Sequence, residues 1–375
     1  MKFRAPMYYK EFHCIADKCK DNCCSAGWEI DIDADTERFY KNVDSDFGNK
    51  LRSNISSNDT LENSSAHFVL DEKNNCPFLN QKKLCDIYIN LGEEHLCQIC
   101  KDHPRFYEWF DGIKECGVGL CCEEAARIIL LQNRPFKTYE IDIPFEECDE
   151  YNDEIYDYLL KCRTKIIEYL DNDEISLTER IRNVLWYAYM TQLDLDSGLL
   201  DDEDIISVDT DETVDKKGVG DGMASIIDFF MTLEPNSDNW IPCLQRNLKL
   251  YKTTFENGIL SEEAKENLNI FEKKYHEINI YLKNIAIYFV WRYFLKGCFD
   301  GDVLSKIKLM TVSISLLKLL FYCHWLEYED VNLLDCVEIV KSYSEEIEYS
   351  EDNMNSIFDA FCDLELFDVE NLLKL

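Results

Sequence analysis

Hydrophobic positions recur at helical spacing from Cys122 onward in this chain of 375 residues, and show little period before it. The run Cys122–Leu131 (CEEAARIILL) joins good helix formers to acidic residues in its first turn. Asp153–Leu170 sets Ile155, Leu159, Ile166 and Leu170 at helical spacing, and Ser176 with Glu179 forms a capping box ahead of Ile181 and Leu185. The same period returns in Leu260–Tyr275, His276–Leu295, Val303–His324 and Ser350–Phe361. Between these stretches, the acidic, glycine-containing segment Asp194–Gly222 reads as a long solvated loop. No alternation of strand and helix patterns points to a doubly wound sheet. The pattern therefore predicts a mainly α fold, with a loop-rich N-terminal cysteine module over residues 1–125 and an irregular α-helical domain over residues 126–375.

Within the first module, Asn42–Ser65 is polar and reads as surface, and ligands rather than a packed core are expected to hold much of the region together. The ligands it offers are thiols. Of the 18 cysteines, eleven fall at Cys14, Cys19, Cys23, Cys24, Cys76, Cys85, Cys97, Cys100, Cys116, Cys121 and Cys122. The remaining Cys148, Cys162, Cys243, Cys298, Cys323, Cys336 and Cys362 are scattered singly, as small buried hydrophobes are. In a reducing compartment, a grouped set of this size points to metal ligation or redox chemistry rather than disulfides. Soft thiolates select zinc, Cu(I) or iron–sulfur centres, and pairs two to four residues apart bind one centre from a single turn. Spacing does not choose between zinc and iron–sulfur. Cys19 and Cys23 begin a Cys-x3-Cys-x2-Cys run, but Ala26 stands at the third position, so the ordinary radical S-adenosylmethionine motif is absent.

Charge narrows the partners. Lys and Arg number 39 against 74 Asp and Glu, a net charge of −35, which repels nucleic acid and anionic membranes and suits a basic partner. Met1–Cys14 has no apolar signal core. The two most apolar stretches, Asn279–Leu295 and Val312–Leu326, carry Lys283, Asn284, Arg292 and Lys318, and read as buried helices. A cytoplasmic protein without a membrane partner is expected. Gly218-Val-Gly220-Asp-Gly222 lacks the full spacing of a nucleotide-binding loop and is set aside.

Two places offer chemistry beyond the thiols. On His276–Leu295, Glu277, Tyr281, Asn284, Tyr288 and Arg292 step by three or four residues along one face, while the other faces are apolar. Such a stripe either faces solvent, or finds buried partners and lines a pocket. The second place is His103-Pro104-Arg105, where proline disfavours helix just after Cys97-x2-Cys100. His103 is a possible metal ligand and Arg105 a possible carboxylate clamp, although an ordinary turn with a surface arginine explains them equally. His13 beside Cys14 is a further possible ligand.

The segments Cys19–Cys24, Cys76-Pro-Phe-Leu, Cys85-Asp-Ile-Tyr and Cys97–Arg105 resemble the zinc- or iron-chelating cysteine-cluster family. With Met7-Tyr8-Tyr9 and Cys116-Gly-Val-Gly-Leu-Cys121-Cys122-Glu123-Glu124-Ala125, the chain resembles the flagellin lysine-N-methylase family more specifically. Cys122 stands where that family's pattern has proline. The resemblance implies S-adenosylmethionine as methyl donor, flagellin lysines as acceptors, and a cysteine-held iron–sulfur centre, with zinc as the alternative. N-methylation needs a neutral amine in line with the sulfonium methyl and a group to take its proton. Tyr281, Tyr288 and Glu277 are the candidate catalytic groups, and Arg105, Asn284 and Arg292 the candidate cofactor contacts. The competing reading is a non-enzymatic metal-binding or redox-responsive interaction protein.

Overall fold

The computed structural model describes residues 1–20, 22–25, 27–57, 66–110, 112–147, 151–200, 204–207, 219–256 and 259–375. They form two compact units: Phe12–Phe106 with Cys122–Ala125, and Met1–Glu11 with Tyr107–Cys121 and Ala126–Leu375.

The smaller unit is built from short elements. A three-stranded antiparallel sheet places Ala66–Phe68 between Asp31–Ile32 and Ile55–Ser57. Its helices are Ala34–Lys41, Asp46–Ser53, Asp86–Leu91 and Gln98–Asp102. Asp33 joins two of them. One carboxylate oxygen accepts the Thr36 amide at 3.0 Å and the other the Gln98 amide at 2.9 Å. Burial opposes ionisation of Asp33, but these amides prevail and hold its carboxyl below the usual range. Tyr40, Leu51, Phe68, Phe78, Ile30 and Ile87 pack into an apolar core. The expectation that ligands rather than a core hold this region is thus corrected. The core escaped notice because its elements are too short to show a period. Asn42–Ser65, expected as surface loop, contains the Asp46–Ser53 helix and the Ile55–Ser57 strand, and its residues 58–65 lie outside the described residues.

In the larger unit, Lys2–Pro6 lies parallel to Ile113–Val118, with Phe3 opposite Lys114, and antiparallel to Thr138–Asp142, with Arg4 opposite Glu140. Residues 107–110, the larger unit's part of the strand Arg105–Phe110, complete the sheet beyond Ile113–Val118. These pairings explain why residues 1–11 and 107–121 group with the helical body, whereas the sequence pattern drew one boundary at 125/126.

The mainly α architecture is as expected. Asp153–Leu170 has the predicted limits, and Ser176 accepts the Glu179 amide at 3.3 Å to start Leu177–Ser197. That helix runs to Ser197 and closes at Gly198 in the left-handed region, so the expected loop begins later than Asp194. Gly218 and Cys148 lie outside the described residues, while Gly220 and Gly222 fall within the Val219–Phe230 helix. Two helices the pattern did not single out are Trp240–Thr253 and Leu333–Ile347. Leu304–Tyr328 packs against Glu277–Tyr293, Leu177–Ser197 and Trp240–Thr253. By length and composition it is apolar enough to cross a membrane, but 72% of its apolar window is buried inside the protein, as befits a core helix.

One ionic group ties sheet to helices. The Glu115 carboxylate receives Arg163 through two bonds of 2.6 Å and Arg4 at 3.2 Å. Arg163 stacks 4.4 Å from the centre of the Trp291 ring, and the Trp291 indole N–H donates to the Cys116 carbonyl at 3.1 Å. Glu115→Ala leaves Arg163 charged and buried, and is expected to lower stability by about 3–5 kcal/mol. Glu140→Ala, removing the solvent-reached partner of Arg4, is expected to change it by less than about 1 kcal/mol. Urea unfolding of both variants checks the order.

Candidate functional site

The smaller unit gathers nine of the eleven grouped cysteines, namely Cys14, Cys19, Cys23, Cys24, Cys76, Cys85, Cys97, Cys100 and Cys122. Cys76 and Cys97 sit in its apolar core, with Cys24, Cys85 and Cys100 packed against them. Backbone geometry brings them there. The Cys76 amide donates to the Cys24 carbonyl at 2.8 Å, Cys85 pairs with Leu79 in a β-bridge, and Cys97 precedes the helical turn that carries Cys100. The Tyr40 hydroxyl donates to the His95 carbonyl at 2.6 Å and lies 3.7 Å from the Cys97 sulfur. The Lys20 amide donates to Glu123 at 2.9 Å, fastening the Cys19 loop to the Cys122 turn.

Electrostatically these thiols oppose one another's ionisation. Burial pushes Cys76 up to about 12, and neighbouring Cys85 and Cys97 add to the effect. Burial raises Cys19 to about 12 and Cys122 to about 11, each with thiol neighbours that add to it. Cys24 is raised by its hydrogen bond to Cys23 and by burial, and Cys100 by its bond to Cys97 and by burial. Cys97 moves down, because Cys100 donates to it.

A bound cation reverses this balance, since it rewards the thiolate form at every position together. The donors are soft, closely grouped and partly enclosed, which fits a thiophilic centre. Among the described residues, no three His, Cys, Asp or Glu side chains already stand as a ready metal-binding group.

Four further sequence candidates are placed as follows. Cys116 and Cys121 belong to the larger unit, where both are buried. The His103 ring stacks on Trp28 at 5.6 Å. In the smaller unit, Arg105 donates to the Lys101 carbonyl at 3.0 Å and lies 5.2 Å from the centre of the Phe12 ring.

The larger unit holds a cavity of about 340 Å³ against the Glu277–Tyr293 helix. Of the polar stripe of that helix, Tyr281, Asn284 and Tyr288 are buried, whereas the Glu277 side chain is 40% exposed. Asn284 donates to the carbonyls of Leu130 at 3.0 Å and Gln132 at 2.8 Å, fixing the chain that leads into the cavity wall. Asp171 accepts the Phe136 amide at 2.6 Å and the Lys283 ammonium at 3.2 Å, and the Met7 amide donates to the Lys137 carbonyl at 2.8 Å. These bonds hold Arg134, Phe136 and Lys137 along one side and Tyr8, Ile287 and Tyr288 along another.

Tyr288 is 1% exposed. It donates to Glu348 at 2.8 Å and receives a bond from Arg292. Arg292 also meets Glu348 at 3.1 Å, Tyr293 donates to the same oxygen at 2.9 Å, and Ser344 donates to the other at 2.7 Å. Burial raises the Tyr288 phenol well above its ordinary value, so it stays protonated at neutral pH. Arg292 is thereby engaged with Glu348. Tyr281 is buried, Glu277 lies beside His276 at 3.4 Å, and neither lines this cavity. Sequence reasoning missed Glu348 and Tyr293, which no spacing marks. It quoted Tyr8 only as part of a family pattern, without the role of cavity wall.

The model of the FliB lysine N-methylase C-terminal domain matches residues 163–375, a span containing Asn284, Tyr288, Arg292 and Glu348. The chain belongs to this family. Beyond that domain, it is similar to the lysine-N-methylase of Salmonella typhimurium strain LT2, 22% identical over 384 residues and covering 90% of each chain. It is also 22% identical to the lysine-N-methylase of Salmonella choleraesuis over 84% of each chain. A flagellar biosynthetic protein, FliU of Salmonella muenchen, is 26% identical over 130 residues, covering 33% of this chain and 75% of that protein. No solved structure matches.

Removing the two ends of the Tyr288–Glu348 contact has unequal consequences. Tyr288→Phe deletes one hydroxyl and is expected to lower stability by about 1–3 kcal/mol. Glu348→Ala strands the buried Arg292 and is expected to lower it by about 3–5 kcal/mol. Equal losses in urea unfolding contradict this arrangement. The thiols give a pH dependence. An unfolded cysteine ionises near pH 8.5, before the raised folded thiols do, so above that pH the unfolded chain binds fewer protons. The metal-free smaller unit is therefore expected to be at full stability below about pH 8.5 and to lose stability as pH rises toward the folded values. Denaturant midpoints at pH 7.5 and 10 check this.

Proposed function

We propose that this chain transfers methyl groups from S-adenosylmethionine to lysine side chains of flagellin. The observation that carries the reading is the family match over residues 163–375, which includes the helix that walls the cavity, together with similarity to lysine-N-methylases along nine-tenths of the chain. The flagellar name of the FliU relative supports the choice of substrate. A net charge of −35 suits a lysine-bearing protein, because opposite potentials speed encounter. The reaction suits a cytoplasmic address, where the donor is made and flagellin is met before export.

In the transfer, the lone pair of a neutral lysine amine forms the new N–C bond as the C–S bond of the sulfonium breaks. The sulfur leaves as the thioether of S-adenosylhomocysteine, and the nitrogen loses a proton. Enclosure and alignment do most of the work in such a displacement. The hydrogen bonds of Asn284 and the Tyr288–Glu348–Arg292 group give the cavity wall a fixed geometry for that purpose.

Cys24, Cys76, Cys85, Cys97 and Cys100 are the residues that would hold the metal centre. Iron–sulfur is favoured by the family resemblance, with zinc the alternative. When bound, such a centre supplies folding free energy to the smaller unit.

Anaerobic incubation with S-adenosylmethionine and flagellin, followed by mass spectrometry of the flagellin, is expected to show increments of one methyl group. No increment under either reducing or oxidising conditions refutes the proposal. Cys97→Ser and Cys100→Ser are expected to lower bound iron or zinc and to destabilise the smaller unit first. Cys243→Ser and Cys336→Ser are expected to leave the metal in place. Equal metal content in all four variants refutes the ligand assignment.

A further inference from the structure

We infer that the cavity beside the Glu277–Tyr293 helix is the methyl-donor pocket, with the amino-acid end of S-adenosylmethionine at the Arg134–Lys137 rim and the adenosyl end on the inner wall. The inference rests on the methyltransferase reading and adds the place where the donor binds.

Three features of the cavity carry it. The first is charge. Arg134 and Lys137 lie on the exposed rim, and neither side chain makes an ion pair or hydrogen bond among the described residues. Asp171, by contrast, is already occupied by Lys283 and the Phe136 amide. The two uncommitted cations attract the donor's α-carboxylate, and the cavity lining also holds the acids Glu11 and Asp171 on which an α-ammonium can be met. The second is wall chemistry. Ile129, Ile287, Tyr8 and Tyr288 are buried and line the interior, and Phe136 stands half-buried beside them. Apolar and aromatic walls with few polar points are what a purine nucleoside needs, and aromatic faces also tolerate a sulfonium cation. The third is an unsatisfied group. Tyr8 is 6% exposed, lines the cavity, and its buried hydroxyl has no hydrogen-bond partner. A bound nucleoside brings hydroxyls and ring nitrogens able to supply one. The volume of about 340 Å³ lies within the range of small-molecule sites, roughly 300–1,000 Å³.

The test measures binding by calorimetry on the full chain, using S-adenosylhomocysteine and, as a probe without the amino-acid end, methylthioadenosine. Arg134→Ala with Lys137→Ala alters only exposed side chains, so its fold is expected to survive. It is expected to weaken S-adenosylhomocysteine by roughly tenfold or more and to leave methylthioadenosine unchanged. Ile287→Trp, filling the inner wall, is expected to weaken both. Should the filled variant fail to fold, Tyr8→Phe is measured in its place and is expected to weaken both by a few-fold, about the loss of one neutral hydrogen bond. Unchanged affinity of S-adenosylhomocysteine in the rim variant, or equal weakening of both ligands there, overturns the pocket assignment. A chain that methylates flagellin while its rim variant binds normally loses this inference and keeps the function. A chain that shows the predicted binding pattern but adds no methyl groups to flagellin loses the function and keeps the pocket.

Discussion

The carboxylate of Glu348 has no exposed surface, and the wall of the candidate site depends on how its charge is met. A lone carboxylate in that position would be neutralised or would unfold its surroundings. Instead Arg292, Tyr288, Tyr293 and Ser344 all reach it. Tyr288 and Arg292 are one turn apart on the same helix, so one buried anion sets both the rotation of that helix and the depth to which it is sunk. Asn284, one turn earlier, then takes two backbone carbonyls of the 130–132 chain. The cavity wall follows from these bonds rather than from side-chain shape alone. Two-ended pairing of this kind is weak as a source of stability, yet strong as a selector of one geometry.

The smaller unit solves its packing in another way. Phe68, Phe78 and Tyr40 give it a core, so thiols are not its only support. The same core nonetheless contains soft donors that, among the described residues, no cation offsets in the way Arg292 offsets Glu348. Each thiolate would stand in a poorly solvated place near others of its kind, which is why most are held in the neutral form. Cys97 differs from them, since it accepts from Cys100 and its thiol is thereby moved down.

The helices were legible where amphipathic period and caps agreed, as at Asp153–Leu170 and at Ser176. The stripe of Glu277–Tyr293 was legible as a polar face on an apolar helix. Its partners were not. Glu348 is one acid among 74 Asp and Glu, and only the fold brings it to Tyr288 across 60 positions. The pairing of Lys2–Pro6 with Ile113–Val118 and Thr138–Asp142 was equally invisible, because strand register is a long-range property that neither short segment reveals alone. Cys116 and Cys121 illustrate the same limit, since spacing groups them with Cys122 while the contacts assign them to the larger unit.

Buried polarity thus separates into two kinds. Glu115 with Arg163, and Glu348 with Arg292, are closed pairs that complete one another within the chain. The hydroxyl of Tyr8 is an open group, buried without a partner among the described residues. Folding tolerates closed pairs because their desolvation is offset inside the protein, whereas an open group is a standing penalty. Removing it by Tyr8→Phe is close to neutral for the empty chain. An unsatisfied hydroxyl on a cavity wall marks a place where a ligand's polar group can complete what the fold leaves unpaired.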